Sequence, residues 1–261
     1  MPTLKTIAMG AGAVGAAGVA VITPPILNNN STEEVIKETD QYSLCLKADL
    51  QLFKGADARC YNRKEIYSLL DKPLVNRDGA SVSVRLTHPS DASIAPSDAT
   101  TCRQYREYMF DGWFAMTSRD MRREGYFKRA CGVLTALFEA QKASTQFFSN
   151  GSPTDEEIAG LAPTMRMGEA SNLAESISVS RSDGYRWEIN IGEQTVFLTE
   201  LANADFDNDG IEEILGYSAG VMAGGSARFY HVGLIEKDNA DAPLRFTVMD
   251  FDQAQAAGAG G

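Results

Sequence analysis

The sequence predicts an α+β protein, and three observations carry that prediction. Between about residues 31 and 150 apolar side chains recur at helical spacing, whereas beyond 155 they fall into short alternating runs. A polar break, Asn150-Gly151-Ser152-Pro153-Thr154, separates the two regions. The expected order is an N-terminal apolar helix over 1–30, a helical domain with two disulfides over 31–150, a small antiparallel β domain over 155–252 and a flexible Ala/Gly-rich tail over 253–261. At 261 residues, 44% hydrophobic and 23% charged, the chain can bury a proper core and is compositionally globular. Those numbers exclude disorder throughout, collagen-like order and a multi-span membrane protein. The net charge of −11 argues against sequence-independent nucleic-acid binding, because phosphates must be met by Lys and Arg.

The first element carries one charged side chain, Lys5, and no Asp or Glu precedes Glu33. The apolar run Ile7 to Ile22 after a basic start has the pattern of an export signal, and Gly18-Val19-Ala20 offers a small-x-small cleavage site. Residues 6–27 are also long enough to span a bilayer, at ~20 residues per span. Ala8, Gly12, Ala16 and Ala20 place a small residue at every fourth position, the spacing that lets one transmembrane helix approach another. Signal peptide and membrane anchor both put the bulk of the chain outside the cytoplasm, either in the periplasm behind the inner membrane or secreted. Gly10-Ala11-Gly12-Ala13-Val14-Gly15 also fits a dinucleotide fingerprint. Pro24-Pro25 and Asn28-Asn29-Asn30 interrupt it before a helix and second strand could follow, so no nucleotide cofactor is expected.

Ser31 and Glu34 have the spacing of a capping box and start the helical region. Ile66, Leu69 and Leu70 share a face, and Pro73 ends that helix; Ala80 to Leu86 alternates and predicts one strand; His88 to Thr101 reads as a Ser/Pro/Asp-rich loop. Tyr105, Met109, Trp113 and Met116 form a helical stripe widened by Phe110 and Phe114, which predicts packed core rather than a cofactor pocket. Thr117 and Asp120 mark a fresh helix start, leading to Phe127, Cys131, Leu134 and Phe138. The two helices would form an antiparallel hairpin turning near residue 117, with Cys102 and Cys131 at matching distances from the turn. Of the three pairings that four cysteines allow, this favours Cys102–Cys131 and, by elimination, Cys45–Cys60. Two disulfides agree with export, and without a C-x-x-C pair a zinc site is not expected. Arg119, Arg122, Arg123, Lys128 and Arg129 read as a solvated basic face. They could attract an anionic partner, but the sequence does not place them on one patch.

In the β region the candidate strands are Ser176–Ser180, Tyr185–Ile191, Thr195–Leu201, Ile214–Tyr217, Ala227–Ile235 and Leu244–Met249, with turns at Asp183-Gly184 and Gly192-Glu193. Between the third and fourth lies Asp205-Phe206-Asp207-Asn208-Asp209-Gly210-Ile211-Glu212-Glu213. Oxygens from Asp205, Asp207, Asp209 and Glu213, with the Ile211 backbone carbonyl, can converge on one hard cation, and Gly210 permits the sharp turn. Crowded carboxylates repel unless neutralised, and calcium is the usual neutraliser outside the cell. An EF-hand would need a bidentate Glu where Gly216 stands. The stretch instead resembles the calcium loop of FG-GAP, VCBS-type and related bacterial repeat modules, with Glu213 where those families usually carry Asp. The resemblance covers about 15 residues and occurs once, so it implies one structural Ca2+ in a loop joining two strands rather than a propeller.

Gly216-Tyr217-Ser218-Ala219-Gly220 matches the serine nucleophile elbow, with His231 as the sole histidine downstream. The small residues after it make a poor helix, so Ser218 and His231 are weak catalytic candidates, and His88 is expected to be structural. The reading favoured is a non-enzymatic, calcium-binding accessory or interaction protein, anchored by residues 6–27 and docked to a membrane protein complex. The alternatives are an exported serine hydrolase using Ser218, or a soluble periplasmic inhibitor or carbohydrate-binding module.

Overall fold

The computed structural model describes residues 42–53, 55–76, 78–91, 93–165, 176–224, 228–249 and 251. The apolar N-terminal segment, the helix start at Ser31 and the tail 253–261 lie outside them. Among the described residues no helix is long and apolar enough to cross a membrane.

Residues 43–140 form a helical layer stitched together by short strand pairs. β1 (Ser43–Cys45) runs antiparallel to β2 (Cys60–Asn62), which sets Cys45 directly opposite Cys60, and the two are bonded. Asn62 then starts α1 (Arg63–Leu69) through a capping box: its side chain accepts from the Glu65 N–H, and the Glu65 carboxylate accepts from the Asn62 N–H. Ile66, Leu69 and Leu70 are buried, as their spacing predicts. β3 (Val84–Leu86) pairs with β4 (Ser97–Ala99). These strand pairs correct the mainly helical expectation for the region. They also shorten the strand expected over 80–86, because Ser81 bridges Val75 and the Val82 N–H bonds Leu74, leaving three residues for β4.

The helical hairpin consists of α2 (Cys102–Phe110) and α3 (Ser118–Glu139). Thr117 caps α3 by accepting from the Asp120 N–H, and Phe127, Cys131, Leu134 and Phe138 are all buried, as predicted. Cys102 and Cys131 are bonded across the hairpin with their Cα atoms 5.4 Å apart. The stripe on α2 is shorter than its periodicity suggests. Gly112 takes φ of 76°, its N–H reaches the Met109 carbonyl at 3.0 Å, and the Trp113 N–H reaches Tyr108 at 2.9 Å. That Schellman geometry closes the helix at Phe110. Phe110, Phe114 and Met116 consequently face water, at 83%, 44% and 62% exposure, instead of joining the core.

The second half of the chain builds one antiparallel sheet from β5 (Ile177–Ser182), β6 (Arg186–Ile191), β7 (Gln194–Ala204), β8 (Glu213–Met222), β9 (Arg228–Glu236) and β10 (Arg245–Val248). Its order, β10-β9-β8-β7-β6-β5, follows the chain, so each strand lies beside its sequence neighbour. All six runs read from the sequence are strands. The helix α4 (Asp155–Leu161) is not among the sequence expectations, although Thr154 and Glu157 form a reciprocal capping box at its start.

Alternation along β8 and β9 sends side chains to two cores. Ile214 and Ile235 join Trp187, Ile189, Val196 and Leu198 under α4, while Leu215, Val232 and Leu234 pack with α1 and α3 on the opposite face. The second of these cores takes residues from both sides of the polar break at 150–154, so packing crosses the boundary read there. An ion pair between a half-buried lysine and a buried glutamate ties the halves as well. The Lys47 ammonium, just after β1, bonds the Glu200 carboxylate of β7, which is fully buried, and Ser152 donates to that carboxylate at 2.7 Å.

Candidate metal centre

The loop 205–212 joins neighbouring strands β7 and β8, whose pairing ends at Ala204 opposite Glu213. It closes on itself through short carboxylate bonds. Asp205 accepts from the Asn208 N–H at 2.7 Å and the Gly210 N–H at 3.0 Å; Asp207 accepts from the Asp209 N–H at 3.1 Å. Asp209 accepts from the Ile211 N–H at 2.7 Å, and Glu213 from the Phe206 N–H at 2.7 Å. Asn208 and Gly210 hold φ of 67° and 87°, the left-handed turns that bend the loop.

Asp205, Asp207, Asp209 and Glu213 each offer a carboxylate oxygen, and these oxygens all lie within 4.8 Å of one another. Oxygens bound to one Ca2+ at 2.3–2.6 Å can be no more than roughly 5 Å apart, so the separation fits a shared ion of that size. Asp205 and Glu213 are buried, and Asp207 and Asp209 are exposed, so the group opens to water on one side. Burial, reinforced by the neighbouring Asp207, Asp209 and Asp205 charges, pushes the Glu213 carboxyl up to about 8 against the pull of the Phe206 N–H. Asp207, only partly covered, is also raised, by that partial loss of solvent first and by Asp209 and Asp205 after it. The arrangement can therefore hold a hard cation whose charge relieves the repulsion. Ile211 donates its N–H to Asp209. The adjoining bridge to Thr145 uses the Gly210 carbonyl and the Glu212 N–H, leaving the Ile211 carbonyl out of that bridge.

Sequence reasoning missed what steadies the loop. The segment after α3 lies along it: Gln141 and Asp205 exchange backbone bonds of 2.8 and 3.1 Å, and the Gly210 carbonyl accepts from the N–H groups of Ser144 and Thr145 at 2.9 and 3.1 Å. The Ser144 hydroxyl donates to the same carbonyl at 2.9 Å. Nothing in residues 141–145 advertises this role, since backbone pairing at a distance of some 60 residues leaves no local pattern.

The serine elbow is not formed. Gly216 to Gly220 lie inside β8, which runs straight through them, whereas an elbow needs the chain to turn sharply from strand into helix at the serine. Ser218 does sit directly opposite His231 on β9. It is 1% exposed, however, and its hydroxyl has no hydrogen-bond partner among the described residues. Burial lowers the His231 pKa, and the Arg129 charge adds to the effect. His88 accepts from the Asp91 N–H at 3.2 Å and meets Trp113 edge-on at 5.3 Å, a structural placement. Both disulfides join the cysteines expected, which suggests an oxidising, extracytoplasmic environment. Searches against protein-family models, curated proteins and solved structures found no match for this chain.

Proposed function

We propose that this chain is an exported, non-enzymatic accessory protein whose fold is completed by one structural calcium ion. Asp205, Asp207, Asp209 and Glu213 are its side-chain ligands, with the Ile211 carbonyl as the backbone donor. Residues 6–27 hold the protein at the membrane, where it docks to a membrane protein complex. The observation that carries the ion is the convergence of four carboxylates within 4.8 Å in a loop pinned between the sheet and the end of α3. Calcium suits it better than magnesium, because a hairpin with two exposed, adjustable carboxylates tolerates irregular coordination. In the modules this loop resembles the ion is structural. The two stapled strand and helix pairs support the exported setting, and the small-residue stripe over 6–27 supports the anchor.

The test is thermal unfolding with and without calcium. For an affinity of order 10⁻⁴ M, ~1 mM calcium contributes about 1.4 kcal/mol, a rise of a few degrees in Tm. Asp207→Ala, at an exposed position, removes the rise without unfolding the protein. An unchanged melting curve in millimolar calcium overturns the ion. The anchoring is tested by the native size and intact mass of the protein extracted from its own membranes: a large assembly retaining residues 1–27 supports it, and a soluble monomer lacking them overturns it.

A further inference from the structure

Beyond the last rung between β10 and β9, where the Met249 N–H donates to the Val232 carbonyl at 2.9 Å, the sheet edge borders a cavity of about 190 Å³. Gly125 and Arg129 of α3 form its other wall, and Phe251, packed against Gly132 of the same helix, lines it as well. Arg129 is half-buried here and makes no hydrogen bond or ion pair among the described residues. Its neighbour Lys128 differs, being paired with Glu124 at 3.5 Å. Gly125, one turn earlier, lies beside the guanidinium: a Cβ there would stand 3.5 Å from Nη1. The guanidinium is 5.8 Å from the centre of the Tyr230 ring, on which Tyr217 stacks at 6.2 Å. Its charge also reaches His231, whose pKa is lowered by burial first and by Arg129 after it. A guanidinium carries five donors, and a partly buried cation is costly while they stay unpaired. The cation–π contact with Tyr230 offsets part of that cost and engages none of the donors.

We propose that this cavity binds a small organic anion, its carboxylate or phosphate head on Arg129, His231 and the Tyr230 hydroxyl and its apolar body against Val248, Met249 and Phe251. The head follows from the donors. Arg129 presents a planar fork, the geometry that carboxylate and phosphate oxygens match, and among the described residues neither the His231 ring nor the Tyr230 hydroxyl has a hydrogen-bond partner. The charge follows from the lining, in which no carboxylate appears among the described residues. The body follows from the β10 side of the cavity, where Val248, Met249 and Phe251 offer no polar side-chain group. Closed on two sides by α3 and the sheet edge, the site sets Arg129 apart from Arg119 and Arg122, which are exposed on the first turn of α3. It is independent of the calcium loop and of residues 6–27, so its test stands or falls apart from theirs.

The chain supplies its own reporter, having two histidines, so comparison with His88→Gln assigns the His231 ring resonances in the proton NMR spectrum of the full chain. Benzoate and phenyl phosphate carry the two heads on one body, and benzyl alcohol carries the body without a charge. At least one of the two anions should move the His231 resonances saturably in the millimolar range. It should also raise the His231 pKa, because a bound anion favours the imidazolium. Arg129→Gln should weaken binding by about tenfold or more. With no ion pair to lose, that variant should keep its Tm, and Arg129→Lys, which retains the charge without the fork, should bind between the two. Saturation by benzoate alone assigns a carboxylate head, and by phenyl phosphate alone a phosphate head. Three results overturn the proposal: no saturable shift with either anion at tens of millimolar, benzyl alcohol binding as well as the anions, or undiminished binding to Arg129→Gln. Binding that appears only in Asp250→Asn/Asp252→Asn assigns the cavity to the chain's own carboxylates and also overturns it.

Discussion

Glu213 is 3% exposed, and burial together with three neighbouring carboxylates raises its pKa from 4.5 to about 8. Because the folded value lies above the unfolded one, the protonated carboxyl is favoured in the fold. The ion-free protein therefore loses stability as pH rises from about 4.5 through about 8, the interval in which the unfolded chain has already released its proton. Glu213→Gln keeps the neutral form at every pH. Without calcium the variant should match wild type near pH 4 to 5 and become progressively more stable than it toward pH 8, as measured by urea unfolding. A constant difference across that range would show that Glu213 does not titrate as buried. Calcium should flatten the wild-type slope and leave the variant unaffected. All four carboxylates of this centre were legible, since a turn within nine residues needs only local spacing to bring them together. The Gln141 and Ser144 contacts that brace the turn were not legible, because they depend on where the end of α3 arrives.

Among the elements, the α2–α3 hairpin was the most readable and also the most instructive. Thr117 and Asp120 announce the start of α3, and nearly equal distances from the turn pair Cys102 with Cys131. Closing a loop of 29 residues restricts the unfolded chain by about 3–4 kcal/mol in the chain-entropy picture. Cys102→Ala/Cys131→Ala should lose close to that amount in denaturant unfolding. A loss under about 1 kcal/mol would mean that the buried helix contacts alone set the hairpin. The apolar period, in contrast, overstated α2. Periodicity reports which residues are apolar, whereas Gly112 in the left-handed region decides where the helix stops and turns Phe110, Phe114 and Met116 outward. The start of α4 carries a legible Thr154–Glu157 box, overshadowed by the glycine and proline just before it.

At the scale of the molecule, one sheet contributes to two cores, one shared with α1 and α3 and the other with α4. The Lys47–Glu200 pair reinforces this by fastening the chain after β1 to β7. Lys47→Met would leave a fully buried carboxylate with Ser152 and, at 3.8 Å, Arg181. The expected cost is about 3 kcal/mol by urea unfolding, and Glu200→Leu in the same chain should restore most of it. A single-variant loss under about 1 kcal/mol would show that Arg181 suffices as the partner. By itself the sequence determined the α+β class, the six strands, the hairpin with its disulfide and the acidic loop, all of which follow from short-range periodicity, caps and spacing. Only the tertiary structure decided that helices and sheet share a core, that Ser218 lies inside a strand, that the segment after α3 grips the loop and that the hairpin tip stays exposed. Those outcomes rest on contacts between residues far apart in the chain, and local patterns do not encode such distances.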